Sequence, residues 1–302
     1  MLEVKNVELK YGDFVAVHDL SFVVNPGEVF GLLGTNGAGK TTTFRMIMGL
    51  LSPSKGEVTY CGHTVSYSDT NEIGYMIEER SLLTKMTVKD IMLFFGHLKD
   101  LETDVILKRL NYWLQRFNVE EYKDKKIKEL SKGNQQKIQF ICSLINNPKL
   151  LILDEPFSGL DPINTELFAS VIMDFKEKGS MIIFSSHQLD YVENFCQKVT
   201  ILDKGYPVIS GNLLEIKQNY QKRNVVVIAE DIDLEVIKNI SGVIEVTQRA
   251  NDTLVKIESD LVVSNIFDYV KTLKNVRKFE VELPRLSEIF VETVGGHKNE
   301  KI

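Results

Sequence analysis

The chain has 302 residues, 36 basic against 42 acidic side chains and a formal charge of −6, enough length for more than one domain and a sizeable core. Hydrophobic residues at 43% and charged residues at 26% exclude wholesale disorder, and the acidic balance disfavours nucleic acid as the main partner, because counterion release needs clustered Lys and Arg. No apolar run exceeds five residues, where a membrane-spanning helix needs roughly twenty, and the start MLEVKNVELKYG has no apolar signal core. The three cysteines, Cys61, Cys142 and Cys196, are scattered without CxxC spacing, which argues against disulfides and a cysteine zinc site; a soluble, intracellular chain is expected.

Along the chain, Glu28–Leu33 reads as a short buried strand. It runs into Gly34-Thr35-Asn36-Gly37-Ala38-Gly39-Lys40-Thr41-Thr42 and then into the helical run Thr43–Met48. This is GxxxxGK[ST] in its strand–loop–helix setting. The glycines let successive backbone N–H groups curl toward a phosphate, and the helix N-terminus adds its positive dipole end. Lys40 is expected to neutralise the β/γ-phosphates and the Thr41 hydroxyl to ligate Mg²⁺.

Downstream, Lys149–Leu153 has the pattern of a buried strand and ends in Asp154-Glu155-Pro156. A parallel strand ending in a carboxylate beside the phosphate loop places Asp154 to hold Mg²⁺, and Glu155 to orient or deprotonate the attacking water. Met181–Phe184 is a further buried strand, followed by Ser185-Ser186-His187.

Three segments identify the subfamily. Leu130-Ser131-Lys132-Gly133-Asn134-Gln135 resembles the LSGGQ signature of ATP-binding cassette (ABC) ATPases and places Ser131 23 residues before Asp154. Ser158-Gly159-Leu160-Asp161 resembles the D-loop, and the strand ending at His187 resembles the H-switch. With the phosphate loop and Asp154-Glu155 in the same order, residues 1–212 resemble an ABC nucleotide-binding subunit. The resemblance implies an α/β fold: a RecA-like parallel-sheet core, an antiparallel β subdomain, and a helical subdomain at about 80–145.

It also implies roles. Tyr11 would stack on adenine; Ser131 and Gly133 would serve the γ-phosphate of ATP bound to the opposite subunit. His187 would contact that phosphate and hold the Glu155–water geometry, and Asp161 would couple the two sites across a dimer. Glu78 stands where the family's Q-loop has Gln and would still ligate Mg²⁺ or accept from water. Lys132 and Asn134 depart from the signature while Ser131 and Gly133 remain.

A single cassette with an added C-terminal segment resembles the stand-alone ATPases of ABC-2-type bacterial exporters for sodium, drugs or antibiotics. The implied partners are a membrane permease, docked in a groove of the helical subdomain, and a second ATP-binding subunit, a homodimer being expected. That places the chain in the cytoplasm, peripheral on the inner face of the membrane. The rival reading is a soluble ABC-type ATPase acting on nucleic acid or ribosomes. Only 91 residues separate Lys40 from Ser131, too few for a coiled-coil arm, and there is no second GKT. Phe94, Phe95 and Trp113 fit either groove or core.

Past a hairpin-like segment at 199–211, residues 213–223 read as a polar, helical linker. Strands are expected at Asn224–Ala229, Val243–Thr247, Thr253–Glu258 and Val276–Leu283. Helices are expected at Leu234–Ile240, Val262–Leu273 and Leu286–Val294. Strand–helix–strand–strand–helix–strand is the ferredoxin-like order, so residues 224–295 are expected to form a small α+β accessory domain, with 296–302 a frayed tail.

Overall fold

The computed structural model describes residues 1–77 and 83–296. The chain divides into two compact units, Met1–Gly211 and Asn212–Ile302.

In the first unit the elements run β1 (Leu2–Tyr11), β2 (Phe14–Val24), β3 (Val29–Gly34), α1 (Lys40–Ile47), β4 (Lys55–Tyr60), β5 (His63–Thr64) and β6 (Ile73–Met76). Then come α2 (Val88–His97), α3 (Thr103–Arg116), α4 (Lys132–Leu144), β7 (Leu150–Asp154), α5 (Pro162–Glu177), β8 (Met181–Ser185), α6 (Leu189–Phe195), β9 (Lys198–Asp203) and β10 (Tyr206–Asn212). One sheet has the order β2-β1-β4-β5 with antiparallel pairs; the other has the order β10-β9-β3-β8-β7-β6. In the second sheet β3 pairs in parallel with β8 and β9, and β7 with β6 and β8.

Strands β3, β7 and β8 are buried at every position, the reason their sequences are continuous apolar runs rather than alternating ones. Leu32, Phe44, Ile47, Ile152 and Ile183 share one core cluster with Val4, Val17 and Val58 of the antiparallel sheet. The helix after the phosphate loop begins at Lys40, three residues before the apolar run that signalled it, because Lys40-Thr41-Thr42 form its first turn.

Helices α2, α3 and α4 pack on one another between β6 and β7 in chain order. Trp113 is 6% exposed and stacks on Phe175, beside the ring cluster of Phe117, Phe140 and Phe168, so it is core. Phe94 is 42% exposed. Phe95 lines a cavity of about 400 Å³ with Tyr67, Tyr75, Leu98, Lys99 and Gln139.

In the second unit, the segment expected as a linker folds into α7 (Leu213–Asn219), capped by the Asn212 side chain. It is followed by β11 (Arg223–Glu230), α8 (Leu234–Lys238), β12 (Val243–Gln248), β13 (Thr253–Ile257), α9 (Val263–Val270), β14 (Lys274–Glu282) and α10 (Leu286–Gly296). The helix expected from Val262 to Leu273 opens instead with a 3-10 turn at Asp260–Val262 and stops at Val270. The sheet order β12-β13-β11-β14, with every pair antiparallel, is the split β-α-β arrangement of a ferredoxin-like domain. Its core joins Val225, Val227, Val255 and Ile257 to Ile237, Ile266 and Val270.

Candidate functional site

The carboxyl ends of three adjacent parallel strands, β3, β8 and β7, converge where an open α/β sheet places its ligand. β3 ends at Gly34 with φ 149°, where a Cβ would lie 2.4 Å from the Leu202 carbonyl oxygen, so only glycine lets the chain leave the strand there. The loop Thr35–Gly39 follows, with Thr35, Asn36 and Gly37 exposed and Ala38 buried. The Gly205 N–H donates to the Ala38 carbonyl at 3.1 Å, which supports the loop from the β9–β10 turn. Gly39, at φ 105°, caps α1 with no side-chain bond of its own. Lys40 is 8% exposed and its Nζ donates to the carbonyls of Gly34 at 2.8 Å and Thr35 at 3.2 Å, so the ammonium sits inside the curl of the loop. Thr41 is exposed and Thr42 half-buried on the first turn of the helix.

Across from the loop, Asp154 is 3% exposed, and its Oδ2 accepts from Thr41 Oγ1 at 3.4 Å. Among the described residues no group of three or more His, Cys, Asp or Glu could hold a metal ion. One carboxylate and one hydroxyl set side by side are hard oxygen donors suited to Mg²⁺, an ion that retains waters and shares itself with phosphate oxygens.

Glu155 lies in the left-handed region at φ 52°, sparsely populated by residues other than glycine, and is 6% exposed. Its Oε2 accepts from the His187 backbone N–H at 3.2 Å and lies 2.7 Å from His187 Nδ1. Burial raises the Glu155 carboxyl above its ordinary value, against the opposing pull of His187 and Lys40. Both Glu155 and Asp154 are also held by a residue to which the motifs assigned nothing. The Glu155 N–H donates to Ser185 Oγ at 3.1 Å, and that hydroxyl donates to Asp154 Oδ1 at 2.5 Å.

Ser131 is the N-cap of α4, its Oγ accepting from the Asn134 N–H at 3.3 Å, and Gly133 lies in the first turn with open space where a Cβ would be. Asn134, the departure from the signature, donates to the Tyr122 hydroxyl at 3.1 Å.

The signature helix is tied to the ends of two strand-to-loop segments, after β7 and after β6, by two glutamines to which the motifs assign nothing. Gln136, 6% exposed, donates to the Pro156 carbonyl at 3.0 Å, and Gln139 to that of Ile77 at 2.7 Å. Their spacing of three on one helix face was the available signal. Asp161 caps α5, its Oδ1 accepting from the Asn164 N–H at 2.9 Å. Tyr11 ends β1, is 48% exposed, and pairs with Phe14 at the tip of a hairpin whose other strand abuts Gly39 through Ala16 and Val17. Glu78 lies outside the described residues.

Residues 17–158 match the ABC transporter family, and residues 211–294 match the C-terminal domain of DrrA1-3-like ATP-binding proteins. The uncharacterized ABC transporter ATP-binding protein YhaQ of Bacillus subtilis is 45% identical over 98% of this chain and 99% of its own length. The Nod factor export ATP-binding protein I of Cupriavidus metallidurans is 31% identical over 84% of this chain and 85% of its own. A solved ATP-binding subunit of an ABC transporter superposes with a TM-score of 0.68 at 31% identity, covering 73% of this chain and 93% of that one. The strand-end constellation, the order of its motifs and these likenesses agree, and the chain belongs to the ABC transporter ATP-binding proteins, with a DrrA-like C-terminal domain.

Proposed function

We propose that this subunit hydrolyses ATP, with Mg²⁺, to drive a separate membrane permease of the ABC-2 type, most consistent with export, and that it works as a homodimer at the cytoplasmic face of the membrane. The observation that carries the reading is the Glu155 carboxylate, buried, bound to His187, and one residue past an Asp154 that meets Thr41 of the phosphate loop.

Mg²⁺ bound with the nucleotide supplies charge neutralisation at the β- and γ-phosphates. The chain's own residues do the rest. Backbone N–H groups of residues 35–39 and the N-terminus of α1 bind the phosphates, with Lys40 exchanging its loop carbonyls for phosphate oxygens. Thr41 and Asp154 hold the cation, and Glu78 is proposed to join them. Glu155 accepts a proton from, or orients, the attacking water, and His187 holds Glu155 and the γ-phosphate in register.

Tyr11 is proposed to stack on adenine, and Ser131 and Gly133 to face the ATP of the second subunit. Ser131 at the N-cap of α4, and Gly133 in its first turn with open space where a Cβ would be, support that assignment. The cavity beside Phe95, Leu98 and Lys99 is proposed as the permease groove. Residues 1–212 are proposed as the ATP-hydrolysing domain and 224–295 as an accessory domain joined by 213–223. Among the described residues no helix is long and apolar enough to cross a membrane.

The test is to recover the tagged chain from solubilised membranes and identify what accompanies it. Recovery of a polytopic membrane protein, with ATP turnover rising in the complex, is the expected result. Recovery of ribosomes or nucleic acid with no membrane protein overturns the reading.

A further inference from the structure

Resting on the reading of this site as an ATP–Mg²⁺ centre, we propose that Ser185 is a positioning residue that sets the Asp154 carboxylate and the Glu155 main chain through one hydroxyl.

The argument begins with register. β7 and β8 are parallel neighbours in which Asp154 stands opposite Ser185, so the strand that delivers the carboxylate delivers the serine beside it. Ser185 is fully buried. Its hydroxyl carries one proton and accepts through lone pairs. The Glu155 N–H points at Oγ from 3.1 Å and can only donate, so Oγ accepts there. The single proton is then directed to Asp154 Oδ1, 2.5 Å away. A bond to an ionised acceptor at that length is of the charge-assisted kind.

Two consequences follow. With Oδ1 engaged, the carboxylate presents Oδ2 to Thr41, which places the two cation-side oxygens together. The same Oγ anchors the peptide N–H of Glu155, the residue held at φ 52°, and so helps keep its backbone in a conformation that non-glycine residues rarely adopt. A buried side chain bonded to the Asp154 carboxylate and the Glu155 main chain thus orients Asp154 directly and Glu155 through its backbone, as outer-shell partners of metal ligands do.

Ser185→Ala removes the hydroxyl with no added bulk. Binding of a fluorescent ATP analogue to the full chain, titrated across a Mg²⁺ series, reads the effect without requiring turnover. The expected result is a half-saturating Mg²⁺ concentration raised roughly 10-fold or more, the scale of outer-shell losses, with metal-free nucleotide affinity unchanged. Ser185→Thr, which restores a hydroxyl, is expected to recover the wild-type Mg²⁺ dependence.

Ser180→Ala is the control for lost packing. Ser180 is also buried, just before the first residue of β8, and bonds the Pro148 carbonyl at 2.8 Å, so its loss should lower thermal stability and leave Mg²⁺ dependence alone. Ser185→Cys, of similar size with a weaker donor, gives the same readout should the alanine variant fail to fold. Wild-type Mg²⁺ dependence in folded Ser185→Ala or Ser185→Cys overturns the proposal. Absence of any Mg²⁺-dependent ATP binding in the unmodified chain overturns instead the reading of the site on which it rests.

Discussion

His187 Nδ1 lies 2.7 Å from Glu155 Oε2, and the His187 backbone N–H donates to that same oxygen at 3.2 Å. One carboxylate oxygen is therefore held by both the ring and the main chain of a residue that is 32 positions away in sequence and sits just beyond the end of the adjacent strand β8. If Glu155 is the base, Glu155→Gln keeps the shape and the contact from the His187 N–H while removing the proton acceptor. ATP affinity is expected to hold within about twofold, while turnover falls about 10²–10⁴-fold, the usual range for a positioned base. Equilibrium nucleotide binding beside phosphate release checks this, and a loss confined to affinity contradicts the role.

The same carboxyl makes a pH prediction. Burial lifts it above its ordinary value of 4.5, more than His187 and Lys40 lower it. The ionised form is the one the fold disfavours, so the stability it contributes is complete below 4.5 and is lost as pH rises through the higher folded value. Glu155→Gln, which cannot ionise, is expected to melt above the wild type at pH 7.5, the gap closing as pH falls toward 4.5. Thermal melts across that range decide it; a gap that widens on acidification refutes the account.

Glycines of the phosphate loop should not be equivalent. Gly34→Ala drives a Cβ to 2.4 Å from the Leu202 carbonyl oxygen, a backbone atom that cannot yield, and is expected to cost at least about 3 kcal/mol and abolish ATP binding. Gly37, at φ 81°, has open space where a Cβ would go, so Gly37→Ala should cost about 1–2 kcal/mol from conformation alone. Chemical denaturation of the two variants separates them.

Gln136 ties the signature helix to the segment after Glu155, its Nε2 donating to the Pro156 carbonyl at 3.0 Å within the core. Gln136→Ala is expected to lose about 1–2 kcal/mol of stability, because the carbonyl is left buried without its donor. Turnover should fall further than ATP affinity, since the segment that carries Glu155 loses a restraint. Equal losses in both would reduce Gln136 to a packing residue.

In the second unit, Glu292 of α10 accepts from Lys222, Lys256 and Tyr220. Burial alone would raise its carboxyl, but these three bonds outweigh it and push it down to about 2. A lowered carboxyl contributes stability that is present above 4.5 and lost as pH falls through the folded value, so this helix should loosen between about pH 4.5 and 2. Glu292→Gln should flatten that acid limb and protect α10 less at pH 7. Hydrogen exchange of Ile289 and Thr293 amides across the range reports it.

Much of this molecule is local and therefore legible from its residues. Gly34–Thr42 is a contiguous loop whose spacing dictates its own conformation, and the unbroken apolar runs before Gly34 and Asp154 and before Ser185 announce strands buried on both faces. The alternation of elements in residues 224–294 likewise announced a split β-α-β sheet. What the sequence could not contain is the lateral order of the strands. Nothing in the linear chain says that β8 lies between β3 and β7, or that its register sets Ser185 against Asp154. The motifs end at His187 and assign nothing to Ser185 two residues before it, nor to Gln136 and Gln139. Their chemistry is a hydrogen bond to a group 31, 20 or 62 residues away. Trp113 and Phe94 look alike as aromatic residues on amphipathic helices, and only the packing of α3 against Phe175 buries one and leaves the other in solvent. Periodicity and loop chemistry are properties of neighbours in sequence; hydrogen-bond partners and burial are properties of neighbours in space, which parallel strands joined by long crossovers bring together only when the whole sheet has formed.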